Sequence, residues 1–406
     1  MVTGLAEIIL GISIVALGYT YAGYPLLLWL VSRWRARPVR AAPYEPTVSV
    51  IITAYNEERD LAAKLENTLA LDYPPAKLDI LVASDCSGDA TDDIARSFAP
   101  RGVRLHRQLL RGGKTAAQNA AIEQVSSDIV VFSDATTLYQ PDVLRVMMPN
   151  FADAKVGCVA GKLIYVDPGQ TSVGAGAKSY WGYETFLKTH ESRIWSLIGV
   201  SGCLYAVRRA AYVPLYPEAC SDFIIASKMV EQGLRTIYEP CAVCTEETNQ
   251  QGAKEMRMRV RVITQTYTDL WRHRYLMNPL RSGFYAVQLL SHKLLRYLVP
   301  FFLVLLLLAS AVLARQSWVY EAIFAAQLIF YGAAALGWWL ERSGYQVRVL
   351  ALPHYFVLAN LASVLAACQF ARGERYASWE PLRGPVTAAD AAKSQRVTEE
   401  SLNACK

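Results

Sequence analysis

Pro46–Glu58 reads "PTVSVIITAYNEE". Val48, Val50, Ile51 and Ile52 make a short apolar, β-branched run that ends in a polar turn at Tyr55, Asn56 and Glu57. That composition and length predict a buried strand running into a loop. The period then changes. Arg59–Leu71, "RDLAAKLENTLAL", sets Leu61, Leu65 and Leu69 at helical spacing. Lys77–Phe98, "KLDILVASDCSGDATDDIARSF", repeats strand, polar loop and helix. Val103–Gln108 is a third short strand, Arg111–Val125 a loop entering an alanine-rich helix, and Asp128–Ala135, "DIVVFSDA", a fourth strand. Strands alternating with helices predict βαβ units, hence an α/β domain with a parallel sheet. Ligands of such sheets bind at the carboxyl ends of the strands. Asn56, Asp85 and Asp134 stand at those ends, so three polar groups are expected to converge on one crevice. No internal repeat or low-complexity segment interrupts the pattern.

Outside this region the chain is apolar. Of its 406 residues 53% are hydrophobic, and the excess is local. It lies in Leu5–Val31, in Val299–Ala314 with Leu294, Leu295 and Leu298 extending it, in Trp318–Leu340 and in Leu350–Phe370. A membrane span needs about 20 apolar residues. The last run is interrupted by Pro353, His354 and Asn360. Glu7 is the only charge in the first run, no basic residue precedes that run, and it is longer than a secretory leader, so a retained anchor is expected. Arg33, Arg35, Arg37 and Arg40 follow it. Basic residues beside a span mark the cytosolic side, which puts residues from about 41 to 290 in the cytosol.

The expected layout is therefore an anchor and basic juxtamembrane segment over 1–40 and a cytosolic domain over 41–280. An interfacial helix follows over 281–298, where "SHKLLRYLVP" mixes His292, Lys293 and Arg296 with leucines. Transmembrane helices fill 299–371, and a polar tail runs over 372–406. The layout contains a conflict. One crossing before the domain and three after it leave the tail outside, although Arg372, Arg375, Arg383, Lys393 and Arg396 belong inside by the same rule. Either one late segment is re-entrant or the region Gly283–Leu298 counts differently.

The net charge of +6 suits a protein on an anionic leaflet, though ordinary positive-inside bias accounts for it, and no nucleic-acid partner is expected. Cys241 and Cys244 form a C-x-x-C with no second pair at zinc spacing, so no metal or redox role is assigned to it.

Three features carry chemistry. Asp134 ends an apolar strand, where a carboxylate without a partner costs several kcal/mol, by order of magnitude. Asp85 ends another strand, and Asp89 or Thr91 behind it is placed to cap the next helix. Gly112, Gly113 and Lys114 lead into a helix and offer backbone N–H groups, a helix dipole and one charge to an anion.

Taken in order, "VSVIITAYNEE", "ASDCSGDATDD", "RGGKTAAQNAA", "VVFSDATTLYQPD", "VSGCLYAVRR" and "SDFIIASKMVEQGLRTIYEP" resemble the successive blocks of the membrane-bound glycosyltransferase family 2. Relatives there include polysaccharide synthases of the cellulose, chitin and hyaluronan type. The resemblance covers roughly residues 46 to 300. It implies an inverting enzyme with a GT-A fold, a Rossmann-like, mixed but mostly parallel sheet, joined to α-helical transmembrane segments. By this resemblance Thr53, Ala54, Tyr55 and Glu57 cradle the base and ribose of a nucleotide. Asp85 reads uracil, and Lys114 lies near the base and phosphates. Asp134 takes the first position of the D-x-D motif and holds Mg²⁺ or Mn²⁺ against the diphosphate, while Thr136 replaces the second acid. Asp222, preceded here by Ser221, is the general base, and Gly202 lines the acceptor side. In "EMRMRVRVITQ", Arg261 takes the arginine place of Q-x-x-R-W and is given to the diphosphate. Met258 and Val262 replace the glutamine and tryptophan, which argues against long-chain processive synthesis.

The function implied is transfer of a sugar from a UDP-sugar to a lipid-linked or polysaccharide acceptor. It would take place on the cytosolic face of a bacterial-type inner membrane, in cell-surface glycan or exopolysaccharide synthesis, with partners of a polysaccharide assembly system. Two alternatives stand beside it: a processive synthase that secretes its glycan through its own helices, and a membrane scaffold that has lost the chemistry.

Overall fold

The computed structural model describes residues 2–167, 171–249, 251–345 and 347–378. Arg383, Lys393 and Arg396 of the tail lie outside the described residues. The chain divides into two compact units, one of Met1–Arg35, Gly169–His190 and Asn249–Glu374, the other of Ala36–Pro168, Glu191–Thr248 and Arg375–Lys406. This division differs from the linear boundaries expected from sequence, because residues 169–190 and 249–280 join the helical unit.

The second unit is built on one sheet of eight strands: β1 Val48–Ala54, β2 Leu78–Ser84, β3 Val103–Arg107, β4 Ile129–Asp134, β5 Leu138–Tyr139, β6 Val156–Val166, β7 Leu204–Arg208 and β8 Arg235–Glu247. Their order is β3-β2-β1-β4-β7-β6-β8-β5. β1 pairs in parallel with both β2 and β4, whereas β7 runs antiparallel between β4 and β6. The sheet is thus mixed and mostly parallel, as the sequence implied.

Every residue of β1 is buried. Val48, Val50 and Ile52 enter the core that contains Leu61 and Leu65, and Ile51 enters the opposite core with Ala117, Ala121 and Phe132. A strand covered on both faces has no solvent side to alternate with, and in β1 even Ser49 and Thr53 are buried beside the apolar residues. The Leu61–Leu69 helix buries Leu61 and Leu65 as its spacing requires, and each adds roughly 1.5–3 kcal/mol of burial. It also buries Lys64 completely.

The register places the polar strand ends side by side. Thr53 lies opposite Ala83 on β2 and opposite Asp134 on β4. The segment from Arg375 also belongs to this unit. At Gly113, where φ is +89°, any Cβ would collide with the Ala377 carbonyl.

The first unit is helical. Among the described residues, four of its helices are long and apolar enough to cross a membrane: Thr3–Trp34, Phe284–Leu313, Trp318–Arg342 and Arg348–Ala371. The second begins at Phe284, so the segment expected to be a separate interfacial helix is continuous with the span. A π-helical turn at Leu289–Leu294 makes the join. The first span carries its own π turn at Tyr19–Gly23, and Tyr19 Oη lies 2.8 Å from Ser291 Oγ, linking the two irregular turns. Ala6 and Leu10 pack on Leu306, Ala309 and Leu313, so these two helices run antiparallel.

The Arg348–Ala371 helix packs differently. Its partner is Gly252–Arg272, a helix rich in charge. Tyr355 Oη donates to Glu255 Oε1 at 2.9 Å. Ala362 and Ala366 pack on Val260 and Ile263. The Phe370 and Tyr267 rings lie 5.7 Å apart. The two helices therefore run alongside each other in the same direction over most of their lengths.

Candidate active site

The carboxyl ends of β1, β2 and β4 open into a crevice whose loops are knitted together by side chains. Asn56 has φ 53° and Cys86 φ 60°, left-handed conformations that cost a residue with a Cβ about 1–3 kcal/mol and tend to mark functional loops. Asn56 Oδ1 accepts the Gly88 N–H at 2.8 Å, and the Glu57 N–H donates to Thr91 Oγ1 at 2.8 Å. Asp89 Oδ1 accepts the Thr91 N–H at 3.0 Å one residue ahead of the cap position, which is Ala90, so neither Asp89 nor Thr91 is the side-chain cap that sequence allowed. The Arg111 guanidinium lies 3.9 Å from the Tyr55 ring centroid and adds a charge that no motif had marked.

Asp85 is fully buried behind this loop. Its two oxygens accept the N–H groups of Gly112 at 2.7 Å and Gly113 at 2.9 Å. Burial still raises its pKa above the usual carboxylate value, against the pull of those bonds and of Arg111. Asp85 thus also shapes the Gly-Gly loop from which the Lys114–Ile122 helix starts. The Thr53 hydroxyl is buried without a hydrogen-bond partner among the described residues, a group a ligand or water can satisfy.

Lys114 reaches the centre of the crevice. Its Nζ lies 2.5 Å from Asp134 Oδ1 and 3.5 Å from the Gly202 carbonyl oxygen. Burial pulls its pKa down, but Asp134 and then Asp222 outweigh that and hold it above the ordinary lysine value. Asp222 stands in the first turn of the Ser221–Glu231 helix, where its backbone carbonyl accepts the Val200 N–H at 2.7 Å. A Cβ on Gly202 would come within 2.8 Å of Lys114 Nζ and 3.2 Å of Asp222 Oδ2. Glycine at 202 is what lets these two side chains share the space. Lys114, Asp134, Gly202 and Asp222, read from four separate motifs, therefore meet at one point.

The cation expected at Asp134 fits this chemistry. An ammonium already sits against Asp134 and is held charged by two carboxylates, so the crevice favours positive charge there. Among the described residues no group of three or more His, Cys, Asp and Glu side chains is arranged to hold a metal. Mg²⁺ keeps several waters and needs only one or two protein carboxylates, so Asp134 with little else is a workable set. The Thr136 hydroxyl donates to Glu246 Oε1 at 2.9 Å. Cys241 is exposed, and Cys244 is buried against Cys203, with the sulfurs 3.6 Å apart. Arg261 lies in the other unit, on the Gly252–Arg272 helix.

Comparison with known proteins agrees with the class this site defines. Residues 49–213 match the family described as Glycosyl transferase family 2. The chain therefore carries a glycosyl transferase family 2 domain.

An N-acetylglucosaminyltransferase of Rhizobium meliloti (strain 1021) is 28% identical over 265 residues, 61% of each chain. A poly-beta-1,6-N-acetyl-D-glucosamine synthase of Staphylococcus aureus (strain COL) is 26% identical over 203 residues, 48% of this chain and 49% of that one. The match thus spans about half to three fifths of these relatives' lengths. Among solved structures, a mannosyltransferase from Pyrobaculum calidifontis in complex with GDP-Man and Mn²⁺ superposes with a TM-score of 0.69 at 25% identity. That likeness covers 90% of this chain and 99% of the other.

Proposed function

We propose that this protein transfers a sugar, of the hexose or N-acetylhexosamine class, from a UDP-sugar to a lipid-linked or glycan acceptor, inverting the anomeric centre. The observation that carries the reading is the meeting of Lys114, Asp134 and Asp222 around Gly202. The Thr53–Glu57 loop, Arg111 and the Gly112–Gly113 loop would hold the nucleotide. Lys114 would then move from Asp134 toward the phosphates, a shift its flexible stem allows. A divalent cation, Mg²⁺ or Mn²⁺, held by Asp134 when bound, would neutralise charge growing on the diphosphate as it leaves. Asp222 takes the proton from the acceptor hydroxyl as that oxygen attacks, the role of a positioned carboxylate. The N-acetylglucosaminyl relatives favour a UDP donor.

Addition of one or a few sugars is the first reading. The mannosyltransferase neighbour, matched over nearly its full length, supports it. The staphylococcal relative, named a synthase, favours a second reading in which the chain polymerises its product. Purified full-length protein with Mn²⁺, an extracted lipid acceptor and labelled UDP-GlcNAc, UDP-glucose and GDP-mannose separates these. Turnover of a UDP-sugar to a product of lipid-like size supports the first. A product of high molecular weight supports the second, and turnover of GDP-mannose alone defeats the donor assignment.

The tail supports a particular membrane arrangement. Three apolar helices separate the domain from Arg375, and three crossings would leave tail and domain on opposite faces. The Ala377 carbonyl at Gly113 argues for the same face, hence for two crossings. The helix that does not cross is then Arg348–Ala371, which lies along Gly252–Arg272 and its Lys254, Glu255, Arg257, Arg259, Arg261, Asp269 and Arg272. So many charges do not enter hydrocarbon, and a helix lying along them stays at the interface. Both faces of this proposal rest on the basic juxtamembrane arginines marking the cytosol. A C-terminal epitope tag reachable only in inverted membrane vesicles supports it. A tag reachable only from outside in intact spheroplasts defeats it.

A further inference from the structure

Thr136 stands where the family pattern has an acid, and a threonine hydroxyl is a poorer cation ligand than a carboxylate. The fold brings a carboxylate to that hydroxyl from far along the chain. β5 and β8 pair antiparallel, with Tyr139 opposite Cys244 and Leu138 opposite Thr245. One step further along β8 is Glu246, and Thr136 Oγ1 donates to its Oε1 at 2.9 Å across 110 residues of sequence. Thr136 stands two residues beyond Asp134, and the next residue, Thr137, donates its hydroxyl to the Asp134 carbonyl at 2.9 Å, so the turn that leaves β4 keeps the Thr136–Glu246 bond close to Asp134.

We propose that Glu246 supplies the second carboxylate of the cation site at Asp134, replacing the acid that Thr136 displaces. The proposal rests on the reading of Asp134 as a cation anchor. Thr136 neighbours the carboxylate in this arrangement without being needed to hold it, and its proton is committed to Glu246. A second hard oxygen ligand also suits Mg²⁺ or Mn²⁺, which take oxygen donors and complete their shells with water and phosphate.

The competing explanation is that Glu246 only accepts a hydrogen bond that holds the loop. Glu246→Gln separates the two, because a glutamine amide oxygen still accepts from Thr136 while the charge is gone. The measurement is Mn²⁺ binding to the full chain in detergent, with and without UDP, followed by the spin-resonance signal of free Mn²⁺. Melting temperature is recorded alongside it. E246Q is expected to weaken Mn²⁺ about 10- to 100-fold with little change in melting. Adding Thr136→Asp to E246Q is expected to restore most of that loss, because it puts the acid back on the other strand. Thr136→Val, which breaks the bond and keeps both acids, is expected to stay within about threefold of the unmodified chain, well inside the loss expected for E246Q.

Wild-type Mn²⁺ affinity in E246Q overturns the proposal. So does a loss in T136V as large as that in E246Q, since the bond and not the charge would then matter. Asp134→Asn is the control. If it also binds Mn²⁺ normally, the cation reading of Asp134 itself fails. If it binds weakly while E246Q does not, only the role of Glu246 fails.

Discussion

Lys114 Nζ and Asp134 Oδ1 lie 2.5 Å apart, with Asp222 near enough to add to the lysine's charge. The lysine is thus the counter-ion of both acids. Its folded-state pKa lies above the ordinary value of 10.5. The sign is that of a base gaining partners: the stability it adds is fully present below the unfolded pKa and is lost as pH rises through the folded one. Lys114→Met is expected to lower kcat/KM by roughly 10²- to 10³-fold, the usual loss when one charge stabiliser is removed. Steady-state kinetics with varied donor tests this, and a change under threefold would remove Lys114 from the machinery.

Gly202→Ala tests the close packing itself. The new Cβ would stand 2.8 Å from Lys114 Nζ and 3.2 Å from Asp222 Oδ2. Lysine's flexible end can swing away, so melting is expected to change little. The cost falls on alignment, and an ångström of misplacement can cost about 10²-fold. Transfer is therefore expected to drop by about that factor while the melting temperature holds within a few degrees. Full activity in G202A would show that the space is not shared as described.

Lys64 gives a pH signature. It is fully buried, its Nζ lies 3.3 Å from the Tyr139 ring centroid, and it has no hydrogen-bond partner among the described residues. Burial lowers its pKa from 10.5 to about 7, with Cys244, Asp134 and Cys203 opposing. Between those two values the unfolded chain binds more protons than the folded one, so this group makes stability rise with pH across the window. Lys64→Met is expected to melt higher near pH 7 and to flatten that rise. Melting curves of the two proteins from pH 6.5 to 9, on the order of the window the linkage sets, check it. Parallel curves would contradict it.

Much of this was legible in the chain. The β-branched run Val50–Ile52 announced a buried strand, and Asp134 at the end of β4 announced a carboxylate in need of a partner. What sequence could not supply are contacts made by register. Nothing near Thr136 points to Glu246, because only the pairing of β5 with β8 joins them. Lys64 sits at a position the Leu61–Leu65 spacing leaves between two core residues, and the β5 residue Tyr139 closes over it. Arg348–Ala371 has the composition of a span whichever way it lies. Its partner helix, with five charges between Lys254 and Arg261, is what distinguishes the two outcomes.

The role of Asp222 joins the site to its reaction. In Asp222→Asn the carboxylate assigned to take the acceptor proton is gone, while Asp134, Lys114 and the loops assigned to the nucleotide remain. Sugar transfer and UDP-sugar binding, measured side by side on the same preparation, separate these functions. Transfer is expected to fall about 10²- to 10⁴-fold with donor affinity kept within about threefold. Transfer at the wild-type rate in D222N would contradict the assignment of the base, and with it the reading of this crevice as the place where the glycosidic bond forms.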